Sequence, residues 1–115
     1  MRRLARAFGN ALAGLAQVVR SEANARIHLG AAALVVAAGA SLGLSRADWL
    51  WLVLAIGLVW FGEAMNTAFE YLCDAVTPDY SEAVKRAKDI AAGATLVLAL
   101  TAALIGGLVF WPYLV

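Results

Sequence analysis

Glu63, Asn66, Glu70 and Asp74 are spaced three, four and four residues apart in a largely apolar stretch. At 100° per residue they fall at about 0°, −60°, −20° and +20°, so three carboxylates and an amide share one narrow helix face over three turns. Stacked carboxylates repel one another, and an acid at the centre of a membrane costs at least about 2.5 kcal/mol. Such a face must look into a polar cavity, with Thr67 beside it. Carboxylates plus water are a hard-oxygen site suited to Mg²⁺, which keeps waters and shares phosphate oxygens of a substrate. Two further groups fit that chemistry. Glu22 is an acid where an amphipathic helix should be apolar, and Lys88-Asp89 opens the last apolar stretch. Lys88 reads either as a snorkelling lysine at a span entrance or as a phosphate-binding group aimed at the same site. The bland alternative for the acids is solvation at a span end, with Asp74 and Glu63 paired to Lys85 or Arg86.

Other chemistries are excluded by what the chain lacks. One histidine, His28, and one cysteine, Cys73, cannot build a zinc cage or an intramolecular disulfide. No phosphate-binding G-x-x-x-x-G-K-[ST] loop and no G-x-G-x-x-G is present. His28 reads as an interfacial or hydrogen-bonded histidine rather than a catalytic base, and Cys73 as packing. The remaining kit is carboxylates, an amide, cations and a divalent metal, and it fits phosphoryl transfer. Cations neutralise the phosphates while one carboxylate accepts the proton of an attacking hydroxyl. A site that opens to a membrane implies a lipid alcohol as acceptor.

The elements that must position these groups follow from where charge is absent. With 63% hydrophobic and 15% charged residues in 115, the chain is too apolar for an ordinary water-soluble enzyme or a disordered tail. Its net charge of +1 implies no attraction to nucleic acid. Charge-free gaps of 19, 14 and 26 residues follow Arg26, Asp48 and Asp89. About 20 apolar residues cross a bilayer, so the second gap spans only if its helix continues past Glu63. Nothing breaks a helix there before Pro78, and Ser45 is placed to cap it. The expected architecture is therefore an all-α membrane protein of one domain, with a surface helix over 1–26 and spans over 27–45, 46–76 and 82–112. Leu4, Phe8, Leu12, Leu15, Val18 and Val19 lie in an arc of about 120°, the pattern of a helix in the membrane plane. A signal peptide is disfavoured, because the charged region is too long and no clean cleavage site follows. Continuing the same angular count, Glu22 falls in the middle of the apolar arc and would point toward the spans rather than the water. Trp49, Trp51, Trp60, Trp111 and Tyr113 include candidates for interfacial anchors. Gly39 and Gly43 form a G-x-x-x-G, and Ala91 to Ala94 are small; helix packing explains both sets. Five Lys or Arg precede the first span and three lie between the second and third, which puts the N-terminus and the 77–89 loop in the cytoplasm and the C-terminus outside.

Glu63-Ala-Met-Asn66-Thr67-Ala-Phe-Glu70-Tyr-Leu-Cys-Asp74 resembles the E-x-x-N-[ST]-A-x-E-x-x-x-D signature of the prokaryotic diacylglycerol kinase and undecaprenol kinase family. Lys88-Asp89-Ile-Ala-Ala-Gly-Ala resembles its second element, and Glu22, Arg26-Ile27-His28 and Ala7-Phe8 to Gly14-Leu15 its N-terminal pattern. The resemblance covers nearly the whole chain. It implies a bacterial inner-membrane lipid kinase using ATP and Mg²⁺, assembled as a homotrimer with shared active sites. By the same resemblance Glu63 is the general base, Asn66 orients the reacting groups, and Glu22 and Glu70 are the metal ligands. Arg3, Asn10, Asp74, Asp79, Tyr80, Ser81, Lys88 and Asp89 join Glu22 and Glu70 around the nucleotide. Asn10 departs from the diacylglycerol-type enzymes, which have tyrosine there, and Ile27-His28 replaces their Gln-Glu. Asn24 and Ile27-His28 look more like the undecaprenol kinase branch, which favours undecaprenol over diacylglycerol as acceptor. The main rival is a small cation- or proton-coupled transporter subunit, since membrane carboxylates commonly couple ions. Small multidrug exporters, however, carry four spans and an acid in the first, where this chain has three spans and no acid in the first. A purely structural subunit leaves the acidic stripe without purpose.

Overall fold

The computed structural model describes residues 1–115 as four helices: α1 (Arg2–Ser21), α2 (Ala23–Leu42), α3 (Arg46–Val76) and α4 (Glu82–Leu114). The last three are long and apolar enough to cross a membrane. At 1.5 Å per residue, α3 and α4 extend about 46 and 50 Å, well beyond a hydrocarbon core of about 30 Å. Their charged ends, Glu70 to Asp74 and Glu82 to Asp89, flank the connecting loop and therefore project from the same side.

Local chemistry sets the ends of α3. The Ser45 hydroxyl accepts a hydrogen bond from the Asp48 N–H at 3.2 Å, and the helix closes at Val76 before Pro78. The bounds are those expected from the cap and the proline. Ser81 caps α4 through the Val84 N–H at 3.4 Å. α4 then runs through Pro112 to Leu114, two residues past the expected end. Proline removes one N–H of the helix, but Tyr113 ties the last turn to α3. Its hydroxyl donates to Asp48 Oδ2 at 2.7 Å and accepts from the Ser45 N–H at 3.3 Å. Tyr113 is thus a latch on the α2–α3 turn as well as an aromatic at a span end.

The first helix differs from its expected form. It stops at Ser21 rather than 26, Glu22 is extended (φ −116°, ψ 117°), and the first span starts at Ala23 and ends at Leu42 rather than covering 27–45. The break is held by Arg26, whose guanidinium donates to the carbonyls of Val19 at 2.8 Å and Arg20 at 3.0 Å. Those carbonyls are left unpaired when a helix ends. The helical angle assigned to Glu22 from the α1 arc therefore does not apply, and its position comes from the hinge. The molecule measures 53 × 41 × 20 Å. Three helices packed 8–10 Å apart are about 20–30 Å across, so α1 must splay sideways out of the bundle. Leu4, Phe8, Leu12 and Leu15 on it are exposed.

α3 touches the other three helices and carries most of the buried residues: Leu52, Ala55, Val59, Gly62, Glu63 and Thr67. Only 11 of 115 residues are buried, and large apolar side chains such as Leu50, Val53, Leu104 and Leu108 remain exposed, as a lipid-facing or subunit-facing bundle requires. The G-x-x-x-G reading is corrected in detail. Gly43, at φ 68°, is the left-handed residue that ends α2, a conformation glycine adopts without strain. Gly39 lies where an added Cβ would stand 2.8 Å from both Leu44 and Trp49, so it admits the turn onto α2. Replacing Tyr113 with Phe removes both latch bonds. We expect a loss of about 1–2 kcal/mol in stability, measured by denaturant titration in micelles, and unchanged stability would contradict the latch.

Candidate active site

α3 brings Glu63 to the inside of the bundle. It lies 13 residues before the end of the helix, about 20 Å along its axis. Its side chain is 5% exposed, and His28 Nε2 of α2 stands 3.3 Å from Oε1. An ionised carboxylate withdrawn from water is costly unless it is paired, and His28 is the polar side chain that α2 supplies. Thr67, one turn on, turns its hydroxyl back to donate to the Glu63 carbonyl at 2.8 Å. Beneath His28 an apolar cavity of about 260 Å³ runs between α2, α3 and α4, lined by Ala31, Val35, Val59, Ala99 and Gly106 among others.

Asn66 faces the α3–α4 groove with Ala91, Ala94 and Thr95, where small residues let the helices approach. Its Oδ1 is buried and has no hydrogen-bond partner. Glu70 is half-buried and Asp74 is exposed. Asp74 Oδ1 accepts from Lys88 Nζ at 2.6 Å, whereas Lys85 pairs with Asp89 at 2.7 Å and Arg86 with Glu82 at 3.2 Å. The bland pairing of Asp74 or Glu63 with Lys85 or Arg86 is therefore not formed. The stripe is one face by angle, but it straddles a seam: Glu63 meets α2, while Asn66 and Asp74 meet α4.

The hairpin register brings Glu22 to the same level. From His28 to Glu22 is six residues along α2 and its cap, about 9 Å; from Glu63 to Glu70 is seven, about 10.5 Å in the same direction. The Gln17 amide, near the end of α1, donates to the Tyr71 hydroxyl at 3.1 Å, which fixes the hinge beside Glu70. No three His, Cys, Asp or Glu side chains of one chain converge as a metal cluster. Mg²⁺ needs only one or two carboxylates when phosphate oxygens and waters complete its shell, so the donors present suit it. Asp79 and Tyr80 are exposed in the loop, and the Ser81 hydroxyl is engaged as the α4 cap. Arg3 and Asn10 are exposed on α1. Arg3 lies 14 residues before Gln17, about 21 Å along a helix that leaves the bundle, so the chain does not bring it to its own acids.

His28 is the site residue that residue types alone do not reveal. Hairpin counting comes close to it. Folding α2 and α3 about Leu44–Ser45 sets residue 63 opposite residue 26, which leaves His28 about 3 Å along the axis from that level.

A buried acid on a central helix long enough to cross a membrane, followed by charged pairs at one end, defines a helical membrane protein with a polar site at one face. The sequence profile of prokaryotic diacylglycerol kinase matches residues 9–110. An undecaprenol kinase of Bacillus subtilis is 36% identical over 114 residues, covering 99% of this chain and 93% of the relative. A diacylglycerol kinase of Synechocystis is 37% identical over 106 residues, covering 91% of this chain and 61% of that longer relative. The chain belongs to the prokaryotic diacylglycerol kinase family and is a lipid kinase.

The side chains of Asp74 and Lys88 are 68% and 32% exposed, so their ion pair contributes little to stability. A double-mutant cycle with Asp74→Asn and Lys88→Met is expected to give no stability coupling beyond the error of measurement, while the apparent affinity for Mg·ATP falls. A larger stability coupling with unchanged nucleotide affinity would make the pair structural.

Proposed function

We propose that the protein transfers the γ-phosphate of Mg·ATP to the hydroxyl of a membrane lipid alcohol, with undecaprenol favoured over diacylglycerol. The observation that carries the reading is the sheltered Glu63 carboxylate, 5% exposed, from which Glu70 and Asp74 lead outward to Lys88. A hydroxyl on a lipid can reach Glu63 from the bilayer, and a nucleotide can reach the charged end from water. The near full-length likeness to an undecaprenol kinase supports the choice of acceptor.

Glu63 accepts the acceptor's proton as its oxygen forms a bond to the γ-phosphorus and the bond to the β,γ-bridging oxygen breaks, releasing ADP. Asn66, whose Oδ1 lacks a partner, helps orient the reacting groups. Glu22 and Glu70 would hold Mg²⁺, which neutralises triphosphate charge when bound. Lys88 contacts the phosphates, with Asp74 and Asp89 holding the local cations in place. Asp79, Tyr80 and Ser81 border the nucleotide from the loop, and Asn10 and Arg3 do so from α1. Because α1 leaves its own bundle, Arg3 serves the site of a neighbouring copy, which supports a homotrimer with shared sites. The exposed apolar face of α1 lies on the membrane surface. The N-terminus and the 77–89 segment face the cytoplasm of a bacterial inner membrane, and the C-terminus lies outside.

Purified protein in micelles with labelled Mg·ATP is expected to phosphorylate a C55 isoprenol and, less well, diacylglycerol. Glu63→Gln loses turnover by about 100-fold or more while nucleotide still binds. Glu70→Gln weakens Mg²⁺-dependent nucleotide binding by about tenfold. Wild-type activity in both variants would overturn the assignments, and proton-coupled transport without lipid phosphorylation would favour the transporter.

A further inference from the structure

The contact between α2 and the buried acid has a consequence for turnover. Glu63 Oε1 lies 3.3 Å from His28 Nε2, with the two side chains 5% and 27% exposed. The charged and titratable groups around Glu63 are few. α4 presents Leu98 at the level of Gly62 and has no charged residue from Ile90 onward. α2 has no charged residue after Arg26, and that guanidinium is engaged by the Val19 and Arg20 carbonyls. On α3 itself, Glu70 lies two turns away and Asp74 three, and Asp74 is held by Lys88. α1 ends beside Tyr71, two turns from Glu63. Thr67 gives its hydroxyl proton to the Glu63 carbonyl and not to the carboxylate. His28 is therefore the one side chain placed to hold this carboxylate.

A base buried in apolar surroundings is useful only if its oxygen is held in one orientation and its charge has a partner. We propose that His28 is a positioning residue for the phosphoryl-transfer step: its Nε2 face holds one oxygen of Glu63, leaving the other directed at the acceptor hydroxyl. The inference rests on the lipid kinase reading above and extends it to a residue outside the signature motif. His28 also lines the 260 Å³ apolar cavity. The group that orients the base is thus in the wall against which an acceptor's hydrocarbon would lie. His28 does not touch the nucleotide in this arrangement, so its loss must act on kcat and leave the KM for Mg·ATP alone.

The test compares wild type, Glu63→Gln, His28→Leu, His28→Gln and His28→Asn as full-length protein in micelles, with steady-state kinetics against Mg·ATP and a C55 isoprenol. The Gln side chain can bring its amide nitrogen to the place of Nε2, and the shorter Asn cannot. His28→Leu is expected to lower kcat on the order of 10- to 100-fold, with KM for Mg·ATP within about twofold. His28→Gln restores most of the lost turnover, and His28→Asn restores little. Full kcat in His28→Leu overturns the proposal. So does a loss that His28→Gln fails to restore while nucleotide binding persists, or a rise in KM for Mg·ATP that accounts for the loss. If the wild type phosphorylates no lipid alcohol, the reading beneath the proposal falls first. If the wild type is active, Glu63→Gln is dead and His28→Leu is normal, only the role of His28 falls.

Discussion

A carboxylate held out of water inside a membrane bundle is the constraint from which the rest of this structure follows. Left unpaired, its charge would destabilise the fold by several kcal/mol. The chain answers by putting Glu63 on the most enclosed helix and setting the lone histidine of α2 beside it. Everything that fixes the α2–α3 hairpin therefore also fixes the acid and its partner. The left-handed Gly43, the close approach of Leu44 and Trp49 to Gly39 and the Ser45 cap set the register at the far end. Tyr113 closes the same end by tying α4 to both Ser45 and Asp48.

Along α3 the environment changes in one direction. Glu63 is dry, Glu70 half-buried, and Asp74 solvated and paired with Lys88. That gradient suits a reaction between partners of opposite solubility, with a lipid hydroxyl met where water is scarce and a polyphosphate where cations are exposed. The hinge at Glu22 is the other structural device. Ending α1 there frees two carbonyls, Arg26 takes them, and α1 can leave the bundle while an acid remains at the level of Glu70.

Much of this was legible in the residues. The span of α3 followed from a capping serine and a proline, both local signals, and both ends matched. The three long apolar helices followed from the charge gaps. The acidic stripe was visible as spacing alone. Three features were not legible. The break at Glu22 depends on a guanidinium reaching back to carbonyls six and seven residues earlier, and no composition rule marks such a contact. The extension of α4 through Pro112 depends on a tyrosine bonding 65 and 68 residues away. The His28 partnership is a matter of register between two helices. Placing the turn brings residue 63 only to within two residues of His28, and a lone histidine in an apolar segment gives no sign of which acid it meets. The angular count for Glu22 failed for a simple reason: it assumed a helix where the backbone is extended.

The most direct measurement uses the fact that the chain has one histidine. Protein carrying ¹⁵N-imidazole histidine and ¹³C-carboxyl glutamate, reconstituted in lipid, reports the nitrogen–carboxyl distance by solid-state dipolar recoupling. A contact of 3.3 Å to the oxygen places the side-chain carboxyl carbon within about 5 Å of Nε2. The expected result is strong dephasing of one glutamate signal that disappears in Glu63→Gln. No dephasing, or dephasing that survives Glu63→Gln, would contradict the placement of His28 against the buried acid.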